Sequence, residues 1–84
     1  PGVTDWQVNP NPFSDEMQLT FPQQNQVMLD VQLFDLQGRL VRHIRQEVFT
    51  GSSLRIATRD LAPGLYHLRC TSGVQQWQQK VVKH

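Results

Sequence analysis

VMLDVQLFDLQGRLV, residues 27–41, is the stretch from which the architecture can be worked out. From Leu29 to Leu33, apolar side chains occupy every second position, which is the pattern of a half-buried β-strand. Asp35–Gly38 interrupts this alternation before apolar residues resume at Leu40. Aspartate can hydrogen-bond its own backbone in a turn, and glycine can adopt a positive φ where the chain reverses. The stretch therefore predicts a strand, a tight turn and a second strand.

The rest of the chain repeats this alternation in short segments. The further strands that it predicts are Asp5–Val8, Glu16–Phe21, Leu54–Ala57, Tyr66–Thr71 and Val74–Lys83. Turns separate these strands, because proline removes a backbone donor and glycine permits unusual backbone angles. The clearest turns are Asn9–Phe13, Asp60–Gly64 and Ser72–Gly73. Phe13 is expected to plug one end of the core.

Arg39–Val48 does not keep one phase of the two-residue period. A β-bulge near Arg42–His43 would restore the alternation, since a bulge adds one residue to one strand. A short amphipathic helix is the competing interpretation of this segment. The two interpretations predict different secondary structure for the same ten residues.

Short strands with regularly spaced turns and no convincing helix predict an all-β fold, an immunoglobulin-like antiparallel β-sandwich of about seven short strands. The side chains predicted to fill its core are Val27, Leu29, Val31, Leu33, Leu40, Ile44, Ile56, Leu61, Tyr66, Leu68 and Val81. Cys70 is also expected to face the core, as a small apolar filler.

Length and charge bound the possible functions. Eighty-four residues suffice for one domain. We interpret residues 1–5 as the end of a linker from an upstream domain and residues 6–84 as the folded module. The net charge is +1 and the basic residues are scattered, which argues against a nucleic-acid partner. No stretch approaches the roughly 20 apolar residues of a membrane span, so membrane insertion is not predicted.

No catalytic, cofactor-binding or metal-binding constellation is predicted, and the chain is not expected to be an enzyme. His43, His67 and His84 lie on separate segments, and no nucleophile has a base at a recognisable spacing. One alternative function is a carbohydrate-binding or adhesion module appended to an enzyme, with Trp6, Trp77 and Tyr66 as its sugar platform. A homodimer formed through an exposed edge strand is a further possibility.

Four motifs occur together in a fixed order along the chain. They are NPNPF at Asn9–Phe13, FDLQGRLV at Phe34–Val41, LAPGLY at Leu61–Tyr66 and KVVK at Lys80–Lys83. In that order and spacing they resemble the C-terminal sorting domain, type A, of type IX secretion substrates of the Bacteroidota. The resemblance extends from Val8 to Lys83.

This resemblance implies that the domain is a sorting signal for an attached cargo protein. The cargo crosses the periplasm, and the domain directs it through the outer-membrane translocon to the cell surface or the extracellular space. A sortase then removes the domain, with the cut inside or beside Pro1–Asp5. The expected partners are therefore the type IX translocon components, the sortase and the upstream cargo domain.

The resemblance also assigns roles to individual residues. The residues expected to shape the turns are Pro10, Asn11, Pro12, Phe13, Asp35, Gly38, Gly64 and Tyr66. Those expected to carry the translocon signal are Lys80, Val81, Val82 and Lys83. A terminal strand offers unpaired backbone groups, so we expect a translocon component to recognise it by strand addition. The alternative is that Lys80–Lys83 only closes a sheet.

Overall fold

A computed structural model describes residues 6–20, 27–48, 53–73 and 75–84. Its strands are β1 (Gln7–Asn9), β2 (Glu16–Thr20), β3 (Val27–Phe34), β4 (Leu40–Val48), β5 (Ser53–Ala57), β6 (Gly64–Ser72) and β7 (Gln75–Lys83). They form two antiparallel sheets, with the strand orders β1-β2-β5 and β4-β3-β6-β7. The prediction of an immunoglobulin-like antiparallel β-sandwich is confirmed. Within the described ranges, no helix is long and apolar enough to cross a membrane.

The central hairpin forms because the turn satisfies its own backbone. One carboxylate oxygen of Asp35 accepts hydrogen bonds from the amides of Gln37 and Arg39, each at 2.9 Å. The amide of Gly38 donates to the carbonyl of Asp35 at 3.0 Å, and Gly38 has a φ of +83°. A side chain at that φ would be strained, which explains the glycine. The turn thus sets the pairing of β3 with β4.

A β-bulge interrupts this hairpin one residue before the predicted position. Leu33 pairs with Arg42, whereas Phe34 pairs with Leu40, so Val41 is the extra residue. The bulge turns Leu40 to the outer face beside Phe34, where Leu40 is 48% exposed. The prediction that Leu40 is a core residue was therefore wrong, and so was the helical alternative for this segment. Val41 is instead partly buried against the core.

The core lies between the two sheets. Its buried apolar side chains are Val8, Phe13, Met17, Leu19, Leu29, Val31, Leu33, Leu54, Ile56, Tyr66, Leu68, Cys70 and Val81. Ile44 and Leu61 are only partly buried, which corrects their assignment to the core. Ile44 belongs to β4, an edge strand with a neighbour on one side, and Leu61 lies in the loop before β6. The side chain of Val27 lies outside the described residues, as do residues 1–5 and Phe21.

Candidate functional site

The C-terminal strand divides the four predicted recognition residues between its two faces. Val81 is completely buried and Lys83 is only 7% exposed. Lys80 is exposed, and so is Val82, at 40%. Successive side chains of a strand point to opposite sides of the sheet, which produces this division. Only Lys80 and Val82 of this set present their side chains to a partner.

The corner between β1 and β2 covers the outer edge of β7 at its C-terminal end. The Phe13 amide donates to the Val82 carbonyl at 2.8 Å, and the His84 amide donates to the Phe13 carbonyl at 2.9 Å. The Val82 amide donates to the side-chain oxygen of Asn11 at 3.0 Å. We call Asn11–Phe13 the clasp. The expectation of unpaired backbone groups was wrong at Val82, because the clasp occupies both its amide and its carbonyl.

The clasp is formed by the proline-containing corner. Both Asn–Pro peptide bonds, Asn9–Pro10 and Asn11–Pro12, are cis. The Phe13 side chain is fully buried, and its backbone forms an isolated parallel bridge with Lys83. Phe13 therefore contributes its side chain to the core and its backbone to the edge of β7.

Lys83 is anchored inside the sandwich, although it was predicted as a recognition residue. Its ammonium group donates a hydrogen bond to the carbonyl of Ser14. The hydroxyl of buried Thr58 donates to the same carbonyl at 2.9 Å, and the Thr58 amide donates to the Asp15 carbonyl at 2.9 Å. A carbonyl oxygen has two lone pairs and can accept both bonds. The only signal in the sequence was the alternation from Val81, which places Lys83 on the inner face.

Tyr66 fixes the start of the strand that pairs with β7. Its hydroxyl donates to the carbonyl of Ala62 at 2.5 Å, across the turn that contains Gly64 with a φ of +149°. This is the tyrosine corner of immunoglobulin-like sandwiches. The Tyr66 ring also lies 6.2 Å from the Phe13 ring, centroid to centroid, and Tyr66 pairs across the sheet with Val81. The corner, the clasp and the terminal strand therefore share one region of the core.

The aromatic residues do not form the sugar platform that the alternative function requires. Trp6 and Trp77 stack on each other, with centroids 6.0 Å apart and ring planes 9° from parallel. Both are partly buried against the core. Tyr66 is only 7% exposed and its hydroxyl is bonded to Ala62. This geometry argues against a carbohydrate-binding face made of these three residues.

His43 and His67 each contact a neighbouring polar side chain. His43 lies 3.2 Å from a carboxylate oxygen of Asp30, and His67 lies 2.9 Å from the side-chain oxygen of Gln78. In the part of the chain that the structure describes, no three His, Cys, Asp or Glu residues are grouped to hold a metal ion. Burial raises the pKa of the Cys70 thiol to about 12. The thiol is therefore protonated near neutral pH and is a poor nucleophile.

Comparison with known proteins identifies the class to which this fold and strand belong. A family model described as "Secretion system C-terminal sorting domain" matches residues 7–84. The chain belongs to this family of type IX secretion sorting domains. No curated protein matches the sequence.

A solved structure supports the fold. The chain is similar to part of the protein in "Crystal structure of dimeric latent PorU from Porphyromonas gingivalis", with a TM-score of 0.69 and 18% sequence identity. The match covers 94% of this chain but only 9% of that chain. At this identity the match shows a common fold, in a region that is a small part of the larger protein.

Proposed function

We propose that this domain directs an attached cargo protein through the type IX outer-membrane translocon and is then removed by a sortase. The observation that carries the proposal is the family match over residues 7–84. Membership in this family implies export across the outer membrane to the cell surface or the extracellular space. The cargo is the upstream part of the same polypeptide. The domain provides the sorting signal for this cargo and does not provide the activity of the cargo.

Within the signal, we assign different roles to the two faces of the terminal strand. Lys80 and Val82 are the recognition residues, because their side chains face outward. Val81 and Lys83 position them, because both side chains are held inside the sandwich. A partner that binds this strand contacts its side chains, since the clasp occupies the backbone amide and carbonyl of Val82.

We place the sortase cut inside or beside Pro1–Asp5, before the first strand. This position separates the cargo from the domain without removing any residue of the two sheets. Mass spectrometry of the mature cargo tests it. A C-terminus within or directly before residues 1–5 supports the assignment, and a cut after Trp6 contradicts it.

The outer edge of β4 is one place where a homodimer can form. β4 is the last strand of its sheet and has no further strand partner among the described residues. A second copy can pair with such an edge. Light scattering of the purified chain tests this, and a mass of 9.7 kDa would contradict the dimer.

The sorting function is tested by fusing residues 1–84 to a periplasmic fluorescent protein in a cell with a type IX system. We expect fluorescence at the surface in the parent strain and retention in the periplasm in a translocon mutant. Deletion of Val81–His84 should also cause retention, and surface display of that deletion would contradict the role of the terminal strand. Equal surface display in the parent strain and in the translocon mutant would refute the sorting function.

A further inference from the structure

The outward residues of β7 belong to a larger surface. Antiparallel pairing places Leu40, Phe34, His67 and Lys80 side by side in one row across the four-stranded sheet. Leu65 pairs with Val82 in the next position toward the C-terminus. The outward residues of β7 therefore form one surface with the outward side chains of β3, β4 and β6.

This surface exposes several aliphatic side chains to solvent. Leu40 is 48% exposed, Val82 is 40% exposed, and Leu36 in the adjoining turn is 71% exposed. A shallow depression beside Leu36 is lined also by Phe34, Asp35, Gly38, His67 and Arg69. Leu40 and Val82 lie on the two edge strands of the sheet, with Phe34 and Leu65 on the strands between them. Apolar side chains exposed along one sheet face are typical of protein-interaction sites.

The cations of this surface lack anionic partners. The Arg69 guanidinium carbon lies 5.3 Å from the centroid of the Phe34 ring, and the Arg69 Nε is buried without a hydrogen-bond partner. Among the described residues, neither Arg69 nor Lys80 forms a salt bridge. Asp35, which lines the same depression as Arg69, is already bound to Arg39 at 2.8 Å. The surface therefore offers two uncompensated positive charges beside aliphatic side chains.

The acidic residues of the same sheet face lie at its other end. Asp30 pairs across the sheet with Arg45 and contacts His43, and Glu47 pairs across the sheet with Met28. An anionic lipid bilayer covering the whole face would meet both carboxylates. A folded partner can instead place its own carboxylates opposite Arg69 and Lys80 alone. Charge complementarity thus favours a protein partner over a membrane.

We propose that the surface formed by Phe34, Leu40, Arg69, Lys80 and Val82 docks an acidic, aliphatic face of a translocon protein. This inference rests on the proposed sorting function and adds the location and the chemistry of the contact. The aliphatic side chains supply area to be buried, and Arg69 and Lys80 select carboxylates. His67 pairs across the sheet with Lys80, and its ring nitrogen contacts the side-chain oxygen of Gln78.

Charge reversal in the fluorescent fusion tests the surface. We expect Arg69→Glu combined with Lys80→Glu to lower surface display at least about tenfold, because like charges then face each other. Arg69→Lys combined with Lys80→Arg should retain export, since both charges remain. Arg55→Glu is the matched control, because Arg55 is an exposed cation on the other sheet. Thermal unfolding of each purified chain reports whether it is folded.

Site-specific photo-crosslinking tests the same surface without altering its charges. A benzophenone amino acid replaces Leu40 in one fusion and Arg55 in another, and the crosslinked partner segment is identified by mass spectrometry. We expect Leu40 to crosslink to a translocon segment rich in carboxylates, and Arg55 not to crosslink to it. Crosslinks to lipid, to a basic segment, or from position 55 only would overturn the inference.

The outcomes separate the inference from the proposed function. Normal export of the double charge reversal, with translocon-dependent export of the wild-type fusion, would reject this docking surface and leave the sorting function intact. Loss of translocon dependence for the wild-type fusion would reject both. A charge-reversed chain that is unfolded leaves the crosslinking result to decide.

Discussion

Val81 and Val82 are adjacent and chemically identical, yet the structure predicts opposite consequences for replacing them with alanine. Val81 is fully buried. Losing its two methyl groups should cost about 2–3 kcal/mol of unfolding free energy, because burial of each carbon contributes about 0.8 kcal/mol and a cavity remains. For a domain of this size the melting temperature should fall by roughly 10–20 °C. Val82→Ala should cost less than about 1 kcal/mol, because Val82 is 40% exposed.

Two measurements on the same pair of variants test this reasoning. Circular dichroism during heating gives the melting temperatures, and surface fluorescence of the fusions gives the export efficiency. We expect Val81→Ala to unfold early but to be exported below its melting temperature. Val82→Ala should remain stable and be exported less efficiently. Equal destabilisation by both substitutions would refute the division of β7 into an inner and an outer face.

Three further predictions concern single groups. Tyr66→Phe should lower the unfolding free energy by about 1 kcal/mol, because it removes the hydroxyl donor of the tyrosine corner; an unchanged urea midpoint would contradict this. NMR should show the pKa of the Asp35 carboxyl below that of an ordinary aspartate, because hydrogen bonds from the backbone amide and the guanidinium of Arg39 lower it. Its stabilising contribution is present above the unfolded pKa and is lost as the pH falls through the lowered folded pKa. Asp35→Asn should therefore reduce the acid sensitivity of folding below about pH 4, and an unchanged acid-unfolding profile would argue against the role of this turn. Cys70 should resist thiol reagents at pH 8 until the chain unfolds, since burial raises its pKa to about 12; rapid labelling of the native chain would contradict its placement in the core.

The sequence predicts the hairpin because its information is local. The alternation through Leu29, Val31 and Leu33 and the turn from Asp35 to Gly38 predict β3 and the chain reversal after it without reference to the rest of the chain. The same period of two explains why Tyr66, Leu68 and Cys70 face the core. Where two-residue periodicity and turn chemistry agree, little further information is needed to place a strand.

The positions of the bulge and of the buried lysine depend on tertiary pairing. Periodicity and turn chemistry in the sequence therefore do not predict them. The apolar pair Leu40–Val41 can face the core through either residue, and the register against Phe34 selects Val41. The ammonium group of the buried Lys83 is bound by the Ser14 carbonyl. A buried ammonium needs such an acceptor, and the sequence does not show that residues 14 and 83 meet.

The clasp connects the first strands to the last strand of the domain, so the position of the proposed cut determines whether the proposed signal strand keeps its backbone partners. Val82 depends on Asn11 and Phe13 for its backbone hydrogen bonds, although these residues are separated by most of the chain. A cut before Trp6 leaves the clasp and the terminal strand on the same fragment. A cut after Phe13 would remove the clasp and expose the amide and the carbonyl of Val82, creating the free edge that promotes strand addition and aggregation. The proposed cut before Trp6 would therefore leave the edge of β7 covered in the released domain.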